Sequence, residues 1–429
     1  MRIDLLKTLP EWIEAGLITP EAAEKIKQYQ SSKEPQGPNR IVIVFGILGA
    51  LLVGLGIVLI VANNWEALPR SIKTVLAFAP LIVGQVACAY SLWQVPHSAA
   101  WREGSSTFTF FGVSVSISLV AQIYHISEGD LGPFLLSWAL LSFPIMYVMR
   151  ASFASLLYWT VITYFLYETG FNHSYNNDSG PYWWLVLLGL PYYAWLVYRH
   201  PDSNFTGFHH WGIPGSLLLA YATIEPDSGA LYMWGYFLLL GVFYLFGQMP
   251  FIHRRAVWHN GYTIIGGAGM LFMLLFLSFG DIWKGAKNEL FFEPGWIQTP
   301  SGLSILLFLA AMGVLLWIIY RSKQTLQPLM VTPLIFSAAF LIGQRYELLP
   351  IVIINILLLA ISVGAIWKGA RQMRLSLVNG GLLLLTTQIA CRFFETDIPF
   401  AVRGLIFIMV GFGFFFANYR LLRHKQSAQ

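Results

Sequence analysis

Residues 41–62, IVIVFGILGALLVGLGIVLIVA, run for 22 residues without a charged or hydrogen-bonding side chain. A helix needs about 20 such residues to cross a hydrocarbon core roughly 30 Å thick, so this segment predicts a transmembrane helix. Gly46, Ala50 and Gly54 recur at every fourth position, which suits close packing against a neighbouring helix in lipid. The residues before it are hydrophilic and carry both signs of charge, unlike a secretory signal peptide. The segment is therefore expected to stay in the chain as an anchor.

The rest of the chain repeats this pattern. Of 429 residues 56% are hydrophobic and 11% charged, where an ordinary soluble domain has about 25% charged residues. Apolar segments near twenty residues recur, and the ten-residue alternation of a membrane β-barrel is absent. The expected spans are 41–62, 74–94, 107–126, 131–149, 151–168, 181–198, 211–224, 230–248, 261–279, 302–320, 329–344, 350–367, 375–394 and 399–418. The seventh and eleventh are short, so the count is twelve to fourteen. The fold class expected is an all-α polytopic bundle with both termini cytoplasmic.

Residues 1–40 read as a cytosolic amphipathic helical hairpin and linker. LLKTLPEWIEAGLI stops at Gly16, and TPEAAEKIKQY restarts with Thr19 as N-cap and Pro20 at the first helical position. Residues 41–418 form the bundle and 419–429 a basic tail. This arrangement puts 19 of the 26 lysines and arginines on the inner side and 7 on the outer side, in accord with the positive-inside rule. Fifteen of the 21 carboxylates follow residue 40, and only Glu103 and Asp202 of these fall inside. The bundle is thus expected to be acidic outside and basic inside. A net charge of +5 from cations spread between apolar spans argues against nucleic acid as a partner. Cys88 and Cys391 both lie in spans, so no disulfide framework is expected.

Four outward turns, around AQIYHISEGDLG, ATIEPDSGALY, GQRYELLP and CRFFETDIPFAVRG, are short and acidic. Duplication of helical hairpins and a shared length constraint both account for the likeness. Ionisable groups at membrane depth are costly and mark interior or aqueous positions. On that ground the candidate substrate-binding cavity comprises Asn64, Glu66, Gln122, His125, Glu128, Arg345, Arg392, Glu395 and Arg403. The same side chains also suit plain interfacial anchoring and ion pairing: Arg392 and Glu395 are three apart and share a helix face. His125 and Glu128 have the spacing for proton exchange. The run of inner-side histidines, His200, His209, His210, His253 and His259, matches no metal motif, and no metal or other cofactor is expected. Pro80, Pro144 and Pro191 predict kinks or, in a sharper reading, broken helices. Phosphate loops, HExxH and GxSxG elbows are lacking.

WIEAGLITPEAAEKI, GALLVGLGIVLIVANNWEALPRSIK with its Asn64–Trp65 pair, and AQIYHISEGD together resemble the bacterial predicted-membrane-protein family catalogued as domain of unknown function 2157. The resemblance covers roughly residues 8–150 and extends more weakly to RFFE. It implies a bacterial cytoplasmic-membrane protein and no assigned activity. The leading expectation is a transporter-like protein or lipid or glycan-carrier translocase with an outward-facing acidic cavity. Its partners would be membrane lipids and a lipid-linked or small-molecule substrate. A membrane enzyme acting on a lipid-linked substrate at the outer leaflet is the first alternative. A scaffold or sensor docking a cytosolic protein through residues 1–35 is the second.

Overall fold

The structure, a computed structural model, describes residues 12–13, 15–25, 65–126, 131–171, 184–223, 229–253, 257–280, 283, 300–322 and 327–395, with scattered positions between 401 and 415. The chain divides into two compact units, Met1–Val75 and Leu76–Gln429. In the first, Gly16 takes a left-handed φ of 67°, and Thr19 Oγ1 accepts from the Ala22 amide at 3.3 Å to start a helical turn over 20–25. A second turn begins at Trp65, whose ring lies 5.6 Å from Lys73 Nζ. The span expected at 41–62 and most of that at 399–418 lie outside the described residues.

Among the described residues all regular structure is helical. The long helices are α1 (Arg70–Trp93), α2 (Ala99–Tyr124), α3 (Leu131–Val148), α4 (Ser152–Phe171), α5 (Trp184–Arg199) and α6 (Asn204–Ala222). They continue with α7 (Gly229–Gly247), α8 (Gly261–Leu277), α9 (Pro300–Trp317), α10 (Pro328–Gly343), α11 (Leu348–Arg371) and α12 (Leu375–Glu395). Each overlaps one of the expected apolar segments. Among the described residues five stretches are long and apolar enough to cross a membrane, namely α1, α2, α3, α11 and Gly302–Arg321, which starts in α9 and runs past its end, and shorter apolar helices lie in α7, α8, α10 and α12.

Two starts differ from expectation for a physical reason. Helix α2 begins at Ala99 rather than 107, because Ser98 accepts from the Trp101 amide and carries the helix through polar REGSS. Helix α6 begins at Asn204 rather than 211, capped by Ser203 on the Phe205 amide. His209 and His210, expected in an inner loop, are therefore helical. The broken-helix reading of the prolines is corrected: α1, α3 and α5 run through Pro80, Pro144 and Pro191.

Among the described residues of the second unit two large apolar cores form, beside a small third one around Val378 and Leu382. Phe110, Tyr158, Trp159, Phe165, Leu185 and Tyr262 anchor one, and Phe237, Met270, Phe336, Ile354 and Leu358 the other. Helix α7 serves both, with Leu239 and Phe243 turned to the first and Phe237, Leu240 and Tyr244 to the second. On the outside of α11, Val352, Ile356, Leu359 and Val363 form an exposed stripe at helical spacing. A stripe of that kind fits contact with lipid tails.

Lateral hydrogen bonds join helix ends that lie at the same level of the bundle. Glu103 near the start of α2 accepts from the Ser152 and Phe153 amides at the start of α4, at 2.8 and 2.9 Å. Asn260 before α8 donates to Gly247 O at the end of α7 at 2.8 Å. The unit is an up-and-down arrangement of antiparallel neighbours.

Candidate functional site

Of the residues expected to line a cavity, Glu66 is exposed in the first unit, and Gln122 and His125 are exposed at the end of α2. His125 is the C-cap of that helix, with φ 51° and its amide donating to Ala121 O. Histidine is among the few non-glycine residues that tolerate this left-handed conformation, so its position has a backbone role. Arg345 is exposed in the turn between α10 and α11. Arg392 and Glu395 belong to the last turn of α12, and their side chains lie outside the described residues. Asn64, Glu128 and Arg403 lie outside them altogether.

Beneath the corner formed by the end of α10, the start of α11 and the end of α12 runs a buried polar seam. Gln388 of α12, 8% exposed, donates from Nε2 to Asn355 O at 2.9 Å and to Asn355 Oδ1 at 3.3 Å. Asn355 of α11 in turn donates to Ile351 O at 2.8 Å and to Ser278 O, just past α8, at 3.5 Å. Among the described residues Gln388 Oε1 has no hydrogen-bond partner. An amide oxygen withdrawn from water and left unpaired costs free energy, on the order of 1–3 kcal/mol. Neither Gln388 nor Asn355, each a polar residue in a long apolar segment, is among the residues expected from sequence to line a cavity.

The opposite end of the same three helices holds a groove of about 320 Å³. Its rim carries Gln327, Lys368 and Ser376, and its depth reaches Leu271, Ile361 and Leu384. Tyr244 donates to Gln327 Oε1 at 3.3 Å across the rim. The signals that could have revealed it were small ones: Gly364 on α11, Gly380 and Gly381 on α12, and a lysine closing an apolar span.

A third polar centre lies around His209 and His210. His209 is fully buried, with Nδ1 donating to Phe205 O at 2.8 Å and Nε2 3.0 Å from Ser155 Oγ. Nδ1 must carry a proton, since a carbonyl only accepts. His210 Nδ1 donates to His259 O at 3.0 Å, and Trp211 Nε1 donates to Trp258 O at 2.9 Å. Tyr193 stacks on His209 and meets His210 edge-on. His209 Nε2 thereby ties α6 to α4, and His210 Nδ1 ties it to the turn before α8. Among the described residues no group of three or more His, Cys, Asp or Glu is placed to hold a metal.

No curated protein and no solved structure matches the chain. Residues 10–155, about a third of the chain, match the model of a family described as predicted membrane protein (DUF2157), a family of unknown function, and over that stretch the chain is similar to it.

Proposed function

We propose that the protein is a transporter-like translocase of lipids or lipid-linked carriers in the bacterial cytoplasmic membrane. On this reading it has fourteen spans, with both termini in the cytoplasm. The observation that supports the reading is the seam of Ser278, Asn355 and Gln388. It places hydrogen-bonding amides inside an otherwise apolar bundle, with one oxygen to spare. Polar groups inside a bundle commonly face a substrate path. Arg345, Arg392, Glu395 and Arg403, with Gln122, His125 and Glu128, would then form a polar mouth above it, the arginines receiving a phosphate and the carboxylates sugar hydroxyls or cations.

The purely structural alternative is that the seam only ties α8, α11 and α12 together. Reconstitution separates the two. In vesicles containing fluorescent phosphatidylglycerol or a fluorescent polyprenyl phosphate, the wild-type chain is expected to expose inner-leaflet probe to an impermeant quencher. Gln388→Leu should slow this at least tenfold while lowering the melting temperature by only a few degrees. Movement no faster than in protein-free vesicles, or equal rates in wild type and variant, would overturn the proposal.

A further inference from the structure

We propose that the groove at the Lys368 end of the bundle is a binding site for one anionic phospholipid. Its phosphate would lie against Lys368 and Ser376, and one acyl chain would run inward past Gly364 and Gly380.

The shape comes from what the helices lack. A methyl group added at Gly380 would meet nothing within 4 Å, and one at Gly364 only Pro328 Cγ at 3.9 Å. Gly381 differs, since its Cβ would stand 2.8 Å from Ser362 O; that glycine lets α12 approach α11. One glycine thus brings the helices together and the other two leave a trench beside the contact. Along α12 the trench extends from Ser376 to Leu384, eight residues or about 12 Å of helix. Ser376 and Gly380 are exposed, so it opens sideways, toward where lipid tails would lie. Its volume falls in the range of ligand pockets, and its depth is apolar.

Charge selects the occupant. Lys368 lines the groove, and Arg371 and Arg374 flank the same end. Between residues 327 and 395 the only carboxylates are Glu347 and Glu395, both at the far ends of their helices. Arg371 already stacks on Trp367, 4.0 Å from its centroid, which leaves Lys368 as the cation facing the trench. A phosphate accepts from an ammonium and a hydroxyl together, and an acyl chain fills an apolar trench. A free phosphate would leave the depth empty, and an uncharged lipid would leave Lys368 without a counter-charge.

The test counts lipids and so stands apart from any movement of them. The full chain is reconstituted in nanodiscs with equal phosphatidylglycerol and phosphatidylcholine, re-extracted in mild detergent, and its retained lipid measured by native mass spectrometry. Wild type should keep one phosphatidylglycerol per chain, enriched at least fivefold over phosphatidylcholine. Lys368→Gln should abolish the enrichment yet retain lipid, now of both kinds. Gly380→Leu and Gly364→Leu, which fill the trench from opposite walls, should each bring retained lipid to background with melting temperatures near wild type. Retention of the two lipids in proportion by wild type would overturn the site. So would undiminished phosphatidylglycerol preference in Lys368→Gln, or undiminished retention in both glycine variants. Should inorganic phosphate added at millimolar concentration displace the lipid while both glycine variants keep it, the site is an anion site without a tail and the proposal fails.

Discussion

Glu103 shows how a charge inside a membrane bundle can be purely architectural. Its two oxygens accept from the first two amides of α4, groups that no intrahelical bond can satisfy, and its negative charge meets the positive end of that helix. Glu103→Ala should lower stability by about 1–2 kcal/mol and Glu103→Gln by less, because the amide keeps one acceptor. Thermal melting of the detergent-solubilised chain checks the order, and equal loss in the two variants would remove the charge from the explanation. His125 offers a second case. Its left-handed φ makes shape matter more than the imidazole, so His125→Gly should be neutral or stabilising, whereas β-branched His125→Val should cost about 1–2 kcal/mol. A proton-relay role predicts instead that both variants lose activity equally, whatever their stability.

The helices were legible as elements because each carries an uninterrupted apolar run, and α1 to α12 overlap the segments read from hydropathy. Their starts were less legible where a serine cap launches a polar first turn, as Ser98 and Ser203 do. Rotation was not legible at all. Helices apolar all round give no stripe to show which face meets which neighbour. Hence the seam of Gln388, Asn355 and Ser278 could not be assembled from sequence, and neither could the groove behind Gly380. Glycines carry some of the missing information. A methyl at Gly266 would stand 2.6 Å from Leu240 O, so α8 crosses α7 there with backbones nearly touching. Gly313 of α9 has nothing within 4 Å of its Cβ. Gly266→Ala should therefore cost about 1–3 kcal/mol by forcing the helices apart. Gly313→Ala should leave stability unchanged or raise it by about 0.5–1 kcal/mol, through helix propensity alone. Melting curves of the pair decide whether close approach, rather than glycine as such, holds α7 to α8.

For the whole molecule the question is which end faces the cytoplasm, and charge together with hairpin order gives an answer open to test. Tyr198 at the end of α5 and Trp258 before α8 are both largely exposed, and both fall at the end where Lys368, Arg371 and Arg374 gather on α11 and the turn after it. Tyr346 is exposed in the turn between α10 and α11, at the opposite end. Cations resist transfer across the membrane, so the end richer in lysine and arginine is expected to stay inside. With Cys88 and Cys391 replaced by alanine, single cysteines at the three positions should react differently with an impermeant maleimide in intact bacterial cells. Tyr346→Cys should label, while Tyr198→Cys and Trp258→Cys should label only after the membrane is opened. Labelling of all three in intact cells, or of the last two alone, would invert or dissolve the proposed orientation. It would also move the Lys368 groove to the outer leaflet, where the same lipid chemistry would have to be sought.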